Sequence, residues 1–514
     1  MRRVAAVLVV LLAALLGPAP ARSSVPPSEP RPVAITARDG VTLRGTLFAP
    51  VSPGPRPALV LVSPWGTPDT VYSAQATELV RRGYVVLSYT TRGFGASGGT
   101  VQLAGPDDIA DVSTVLDWLI ARTAADPARL GIGGISYGAG ISLLAASHDP
   151  RIRAVVAMSG WTDLTRTFYR GGARAFQVLG SVRFFAEVAG RPSPELVRIL
   201  ADFFADRDRT DVRAWTQIRS ADAYLSAVDT YRPAIFLAQA YGDSFFPPDQ
   251  AVDFFDALTG PKRLELSPGD HGTPEASGLL GLPNPLWSDA GRWLDRYLAG
   301  RPTGIDREDP VVLRGTPVEP VETYPDWPHV GARVDRYGLG PVRDGTGSLV
   351  TGPPPAGWHR TIGSGRPTTA DSGIVVITNG LAGIVGVPSL VFLPAVDRHY
   401  AGVWTTPPLD RVVPVRGMAH LRLEVRRQRA GTVFAYLYAV DPLGIGRLVA
   451  HQPQSWSGGR TRLDLRFPPV RFDLPAGSRL ALVVDTVDGM YGDRGPRRPP
   501  LEFTGPSWVD LPHR

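Results

Sequence analysis

One stretch constrains this chain more than any other: Gly131-Ile132-Gly133-Gly134-Ile135-Ser136-Tyr137-Gly138-Ala139-Gly140. An apolar run that ends in Gly-x-Ser-x-Gly and passes at once into small, helix-compatible residues reads as a strand turning sharply into a helix. Such a turn holds Ser136 in a strained backbone conformation and lifts its hydroxyl above a sheet edge. Side chains at 134 and 138 would collide with the neighbouring strand and helix, and glycine removes the collision. The helix that starts here points its free N–H groups at whatever sits on Ser136. Alone the pattern is weak in a chain with 56 glycines. Its setting decides: apolar strand candidates at 58–62, 84–89 and 154–159 alternate with amphipathic helical stretches, the βαβ rhythm of a parallel sheet.

A serine hydroxyl needs a base within hydrogen-bond reach and a third group to orient that base. Two histidines fall in the α/β region. His148 lies about three turns beyond Ser136 on the same helix, roughly 18 Å along its axis, too far to serve. His271 stands in Pro268-Gly269-Asp270-His271-Gly272, a loop after an apolar strand. Asp243, in Tyr241-Gly242-Asp243 after the strand at 234–240, is the expected acid. Asp270 adjoins His271, and adjacent side chains point apart, so it is expected to shape the loop. Asp249 and Asp253 are expected to be solvated on a following helix. The backbone N–H of Tyr137 is one expected oxyanion donor. The second should come from Ser63-Pro64-Trp65-Gly66-Thr67, where Trp65 serves either as an indole donor or as a wall, with backbone N–H at 65 or 66 as the other source.

No cofactor and no metal are expected. The histidines at 329, 359, 399, 420, 451 and 513 are scattered. Gly93-x-Gly95-x-x-Gly98 follows the second parallel strand, not the first, and no acidic residue stands at a strand end about twenty positions on, as a nicotinamide site requires.

At 514 residues the chain is long enough for two or three domains. Residues 1–21, with Met1-Arg2-Arg3, an apolar run to Leu16 and an Ala-x-Ala end, read as a secretory signal peptide. The run falls short of the ~18–20 apolar residues a span needs, so the expectation is an exported protein without a membrane span. Residues 22–32 read as a linker and 33–303 as the α/β domain. Residues 161–230, where the strand rhythm stops and aromatics gather, read as a helical cap. Trp65, Trp161, Phe168 and Phe245 are the expected pocket walls. Residues 304–514, rich in Pro and Gly with short alternating runs (419–426, 432–440 and 373–378 among them), read as a β-sandwich. There is no cysteine, so neither disulfides nor thiol chemistry arise. The formal charge is +6, but it is spread over scattered arginines with no basic stripe, which argues against a nucleic-acid partner.

With these residues placed, the chain resembles the X-Pro dipeptidyl-peptidase and cocaine-esterase (CocE/NonD) group of α/β-hydrolases. The carriers are Gly134-Ile135-Ser136-Tyr137-Gly138, Arg92-Gly93-Phe94-Gly95-Ala96-Ser97-Gly98-Gly99, Tyr241-Gly242-Asp243 and Asp270-His271-Gly272. The resemblance implies an α/β-hydrolase sheet with a cap inserted before the acid, a C-terminal jelly roll of galactose-binding type, and Ser136, Asp243 and His271 as the catalytic set. The group has tyrosine where this chain has Trp65, so the indole N–H replaces that hydroxyl or the oxyanion hole uses backbone alone. The peptidase branch also needs carboxylates for a substrate's free amino terminus, and no position here matches them. The expected function is an exported serine hydrolase of small acyl esters or amides, acting through an acyl-enzyme on a small-molecule or peptide substrate. The alternatives are an X-Pro dipeptidyl-peptidase-type exopeptidase and, from another class, an inactive hydrolase-fold protein that binds carbohydrate or cell wall.

Overall fold

The computed structural model describes residues 29–316, 318–374, 389–492 and 499–514. The expected signal peptide, most of the expected linker and the run at 373–378 from residue 375 onward lie outside the described residues. The chain enters through a hairpin, β1 (Arg31–Thr36) and β2 (Thr42–Phe48), turned by Arg38-Asp39-Gly40. The strands β3 (Arg56–Val62), β4 (Val85–Thr90), β5 (Ala125–Ile135) and β6 (Ile152–Met158) then alternate with helices α1 (Ser73–Arg81), α2 (Pro106–Arg122) and α3 (Tyr137–His148). After β6 comes the cap: α4 (Leu164–Phe168), a small hairpin of β7 (Tyr169–Arg170) and β8 (Ala173–Arg174), then α5 (Phe176–Ala189), α6 (Pro194–Phe204), α7 (Arg209–Gln217) and α8 (Leu225–Tyr231). The sheet resumes with β9 (Ala234–Ala240) and β10 (Lys262–Ser267), between which lies α9 (Pro248–Ala257). The apolar central strands are buried along their length, as expected of a parallel sheet covered on both faces.

The strand order is β1-β2-β4-β3-β5-β6-β9-β10, continued by β11 (Val311–Leu313) and β12 (Glu322–Tyr324). Those last two strands lie beyond the expected boundary at 303/304 and still join the first sheet. Leu264 pairs in parallel with Val311, so the first sheet takes its edge from chain that reads by composition as the β region. Arg31 and Pro32, assigned to the linker, already pair in β1.

Among the described residues the C-terminal domain is an all-β curled sheet of eleven strands. Its frame is two long strands, His420–Val440 and Ile445–Arg466, paired antiparallel. The separate short strands expected at 419–426 and 432–440 are one strand with irregular pairing between Glu424 and Ala430. A bulge breaks the alternation without ending the strand. Asp249 and Asp253 on α9 are not simply solvated, as expected above. Asp253 accepts from Arg166 of the cap at 2.6 Å and from Arg466 of the β domain at 2.9 Å, tying the three parts together. Among the described residues no helix is long and apolar enough to cross a membrane, and no group of His, Asp and Glu is placed to hold a metal.

Candidate active site

The turn between β5 and α3 has the strain its sequence implies. Ser136 sits at φ 58°, ψ −117°, a left-handed conformation that non-glycine residues avoid. A Cβ on Gly138 would lie 2.0 Å from the Val62 carbonyl oxygen, and one on Gly134 would lie 2.7 Å from the same atom. The elbow therefore closes only with glycine at both places. Tyr137, at the first position of α3, keeps a backbone N–H without an intrahelical acceptor. Its ring is anchored below, where the hydroxyl accepts from Ala104 N (2.9 Å) and donates to Asp108 Oδ2 (3.2 Å). Leu103 and Ala104, at the end of this contact, both sit at φ 57°.

His271 Nε2 lies 2.8 Å from Ser136 Oγ, and its Nδ1 lies 3.0 Å from Asp243 Oδ2. A carboxylate only accepts, so Nδ1 carries the proton and Nε2 is left to accept from the serine. Asp243 is itself fully held. Its Oδ1 accepts from the backbone N–H groups of Phe245 (2.9 Å) and Phe246 (2.8 Å), and its Oδ2 also accepts from Gln239 Nε2 (2.8 Å). Burial by itself pulls the His271 imidazole down, but the Asp243 carboxylate overcomes it and the net shift is above the ordinary 6.5. Asp270 does shape the loop, accepting from Ser244 N and His271 N, each at 2.7 Å.

Of the expected pocket walls, Phe245 stacks on the His271 ring at 4.6 Å. Trp65 packs edge-on against Tyr137 at 4.7 Å, and its buried Nε1–H has no acceptor among the described residues. The other two are corrected. Phe168 is completely buried against Phe203 and Trp215 inside the cap. Trp161 is 1% exposed, stacks on Tyr137 and donates its indole N–H to the Arg219 carbonyl, so it is packing beneath the elbow helix. Phe168 thus belongs to the cap's own core and Trp161 to the packing of the elbow helix, and neither faces substrate.

Two supports escape sequence reasoning. Gln239 is legible in retrospect as the one polar side chain in the apolar run of β9. Glu275 leaves no such signal. It is wholly buried, accepts from Ser159 Oγ at 2.9 Å, and that same Oγ accepts from Gly272 N at 3.2 Å, so the pair braces the loop carrying His271. Its second oxygen, Oε2, has no partner among the described residues. Burial raises the Glu275 carboxyl from 4.5 to about 7, opposed by the Ser159 hydrogen bond. The folded state thus holds the proton more tightly than the unfolded one. The stability this contributes is complete below pH 4.5 and is lost as pH rises to about 7. Glu275→Gln, which mimics the protonated form, is expected to remove a loss of order 3 kcal/mol between those limits. Urea unfolding of both proteins at pH 4.5 and pH 8 measures it, and parallel profiles would contradict the assignment.

The sheet, the elbow and the cap inserted before the acid strand define an α/β-hydrolase. Residues 39–273 match the model of the X-Pro dipeptidyl-peptidase (S15) family, and residues 303–508 match that of the X-Pro dipeptidyl-peptidase C-terminal non-catalytic domain. The chain belongs to this family of serine hydrolases, which includes the CocE/NonD enzymes. It is 25% identical over 261 residues to an acyltransferase of Aspergillus calidoustus, covering 45% of this chain and 83% of that one. It is 33% identical over 151 residues to the cocaine esterase of a Rhodococcus species, covering 28% of this chain and 26% of that one. Among solved structures, an aminopeptidase from a marine sediment Thaumarchaeota archaeon superposes with a TM-score of 0.72 at 15% identity, over 97% of this chain and 98% of that one, a likeness of fold.

Proposed function

We propose that the protein is an exported serine hydrolase that cleaves small acyl esters or amides through a Ser136-linked acyl-enzyme. The observation that carries this reading is the unbroken chain from Ser136 Oγ to His271 Nε2 (2.8 Å) and from His271 Nδ1 to Asp243 (3.0 Å). Ser136 Oγ attacks the carbonyl carbon while His271 Nε2 takes its proton. The imidazolium gives that proton to the departing alcohol or amine, and water then enters by the same route in reverse. The developing oxyanion is met by the Tyr137 backbone N–H and the orphan Trp65 indole N–H, which does here what a tyrosine hydroxyl does in the family pattern. Export rests on the N-terminal sequence pattern, and sequencing the amino terminus of secreted protein tests it.

The S15 match favours X-Pro dipeptidyl-peptidase activity as a second reading. Against it, the carboxylates around His271 are buried inside the protein: Asp243 and Asp270 are held by loop donors, and Glu275 is wholly buried. That leaves them unsuited to a free amino terminus. Purified mature protein is expected to turn over 4-nitrophenyl butyrate with kcat/KM at least tenfold above that for Ala-Pro-4-nitroanilide. The opposite ranking makes it a peptidase. Binding to insoluble glycan with no acyl turnover makes it a retired hydrolase.

Trp65→Phe keeps the aromatic packing and removes one donor. Loss of one oxyanion donor lowers kcat by about 10²–10³-fold, with KM little changed. An unaltered kcat assigns Trp65 to the wall alone.

A further inference from the structure

A cavity of about 260 Å³ lies where the acid-bearing loop, the cap hairpin and the β domain meet. Gly242, Asp243 and Ser244 form one wall, Arg170 of β7 the second, and Arg447, His451 and Phe472 part of the third. Ser136, His271 and Trp65 do not line it, so it is distinct from the space over the nucleophile. The hairpin reaches it because Gly171 packs directly on the long strand of the β domain. A Cβ there would lie 2.0 Å from the Pro453 carbonyl, and Ser455 N donates to the Gly171 carbonyl at 2.8 Å.

The charges around this cavity do not balance. Arg170 is 6% exposed, and among the described residues its Nε has no acceptor and it makes no ion pair, its guanidinium meeting only the neutral Tyr491 hydroxyl. A buried guanidinium is ordinarily paired, because leaving it alone sacrifices solvation for nothing. The acids on the facing wall are already taken: Asp243 by His271, Gln239 and two backbone N–H groups, Asp270 by Ser244 and His271. Arg471, another lining residue, is neutralised by Glu319 and Glu322. Arg447, on the rim, has no ion pair among the described residues. His451 bonds the Tyr491 hydroxyl at 3.1 Å, and burial, helped by Arg170, keeps its imidazole neutral. The remaining surface is largely apolar, including Leu448, Val470 and Phe472. A planar fork of donors on the wall of an apolar cavity suits a carboxylate with a hydrocarbon or aryl body.

We propose that this cavity is a second, non-catalytic ligand site for an apolar monocarboxylate, held by Arg170 with Arg447 closing the rim. The site stands independently of the hydrolase reading. The probe is 4-phenylbutyrate, titrated calorimetrically into the full mature protein, native and after phosphonylation of Ser136. Saturable binding of one equivalent to both forms is expected. It should be at least tenfold weaker in Arg170→Met and at least tenfold weaker for 4-phenylbutanol. Absence of saturation at millimolar probe, equal affinity in Arg170→Met, or equal affinity for the alcohol overturns the proposal. Binding that disappears on phosphonylation also overturns it, by placing the acid at the catalytic centre as a product mimic. Should Arg170→Met fail to fold, the exposed Arg447→Met reads the same charge: several-fold weaker binding supports the site, and unchanged affinity overturns it.

Discussion

Ser136→Ala is expected to lower kcat by about 10⁵–10⁶-fold, a loss on the scale reached when an acyl-transfer nucleophile is removed outright, while leaving the fold intact. The substitution keeps the Cβ, so the strained φ of 58° and the close approach of Gly138 to Val62 are unaltered. What disappears is one hydroxyl hydrogen bond to His271, whose side chain is 16% exposed and can take a water instead. Thermal unfolding should therefore move by no more than a few degrees, consistent with loss of about 1 kcal/mol or less. Labelling by a fluorophosphonate probe, expected in the native protein, should vanish. Labelling that persists in the variant, or turnover within tenfold of native, removes Ser136 from the chemistry.

The elbow was legible in sequence because its demands are local. A strained serine, two collision-free glycines and an apolar strand must all sit within five residues, and Val62 meets both glycines at one atom. His271 and Asp243 were legible for a related reason, since each directly follows a strand and there were few other candidates. The walls of the site were not. Phe168 and Phe245 look alike in sequence, yet one faces Phe203 in the cap and the other lies on His271. Direction is set by which neighbours arrive from elsewhere, and that information is tertiary. The edge of the sheet failed for another reason. The three residues of β11 carry no length signal, and they join β10 because its outer edge would otherwise be unpaired. Glu275 is the extreme case: its role depends on Ser159, 116 residues away, and nothing in its flanking sequence refers to that partner.

The arrangement of donors around Asp243 makes Asp243→Asn more damaging than the loss of one charge. Oδ1 accepts from the N–H groups of Phe245 and Phe246, so an asparagine must put its carbonyl oxygen there and its NH₂ at the Oδ2 position. That NH₂ then faces two donors, Gln239 Nε2 and His271 Nδ1–H. His271 escapes by moving its proton to Nε2, and an Nε2–H cannot accept from Ser136. The expected result is a fall in kcat of about 10³–10⁴-fold, the size of effect a wrong tautomer produces in a serine–histidine–acid set, with KM little affected. The pH profile separates this from general disruption. In the native protein kcat/KM should rise with pH through a value above 6.5, because neutral His271 is the active form and the Asp243 carboxylate holds its pKa up. Without that charge, burial is opposed only by the weaker pull of Asp270 and Glu275, so the acid limb of the residual activity should move to lower pH. A variant that keeps the native acid limb, or loses less than tenfold in kcat, places the orienting charge on some other group.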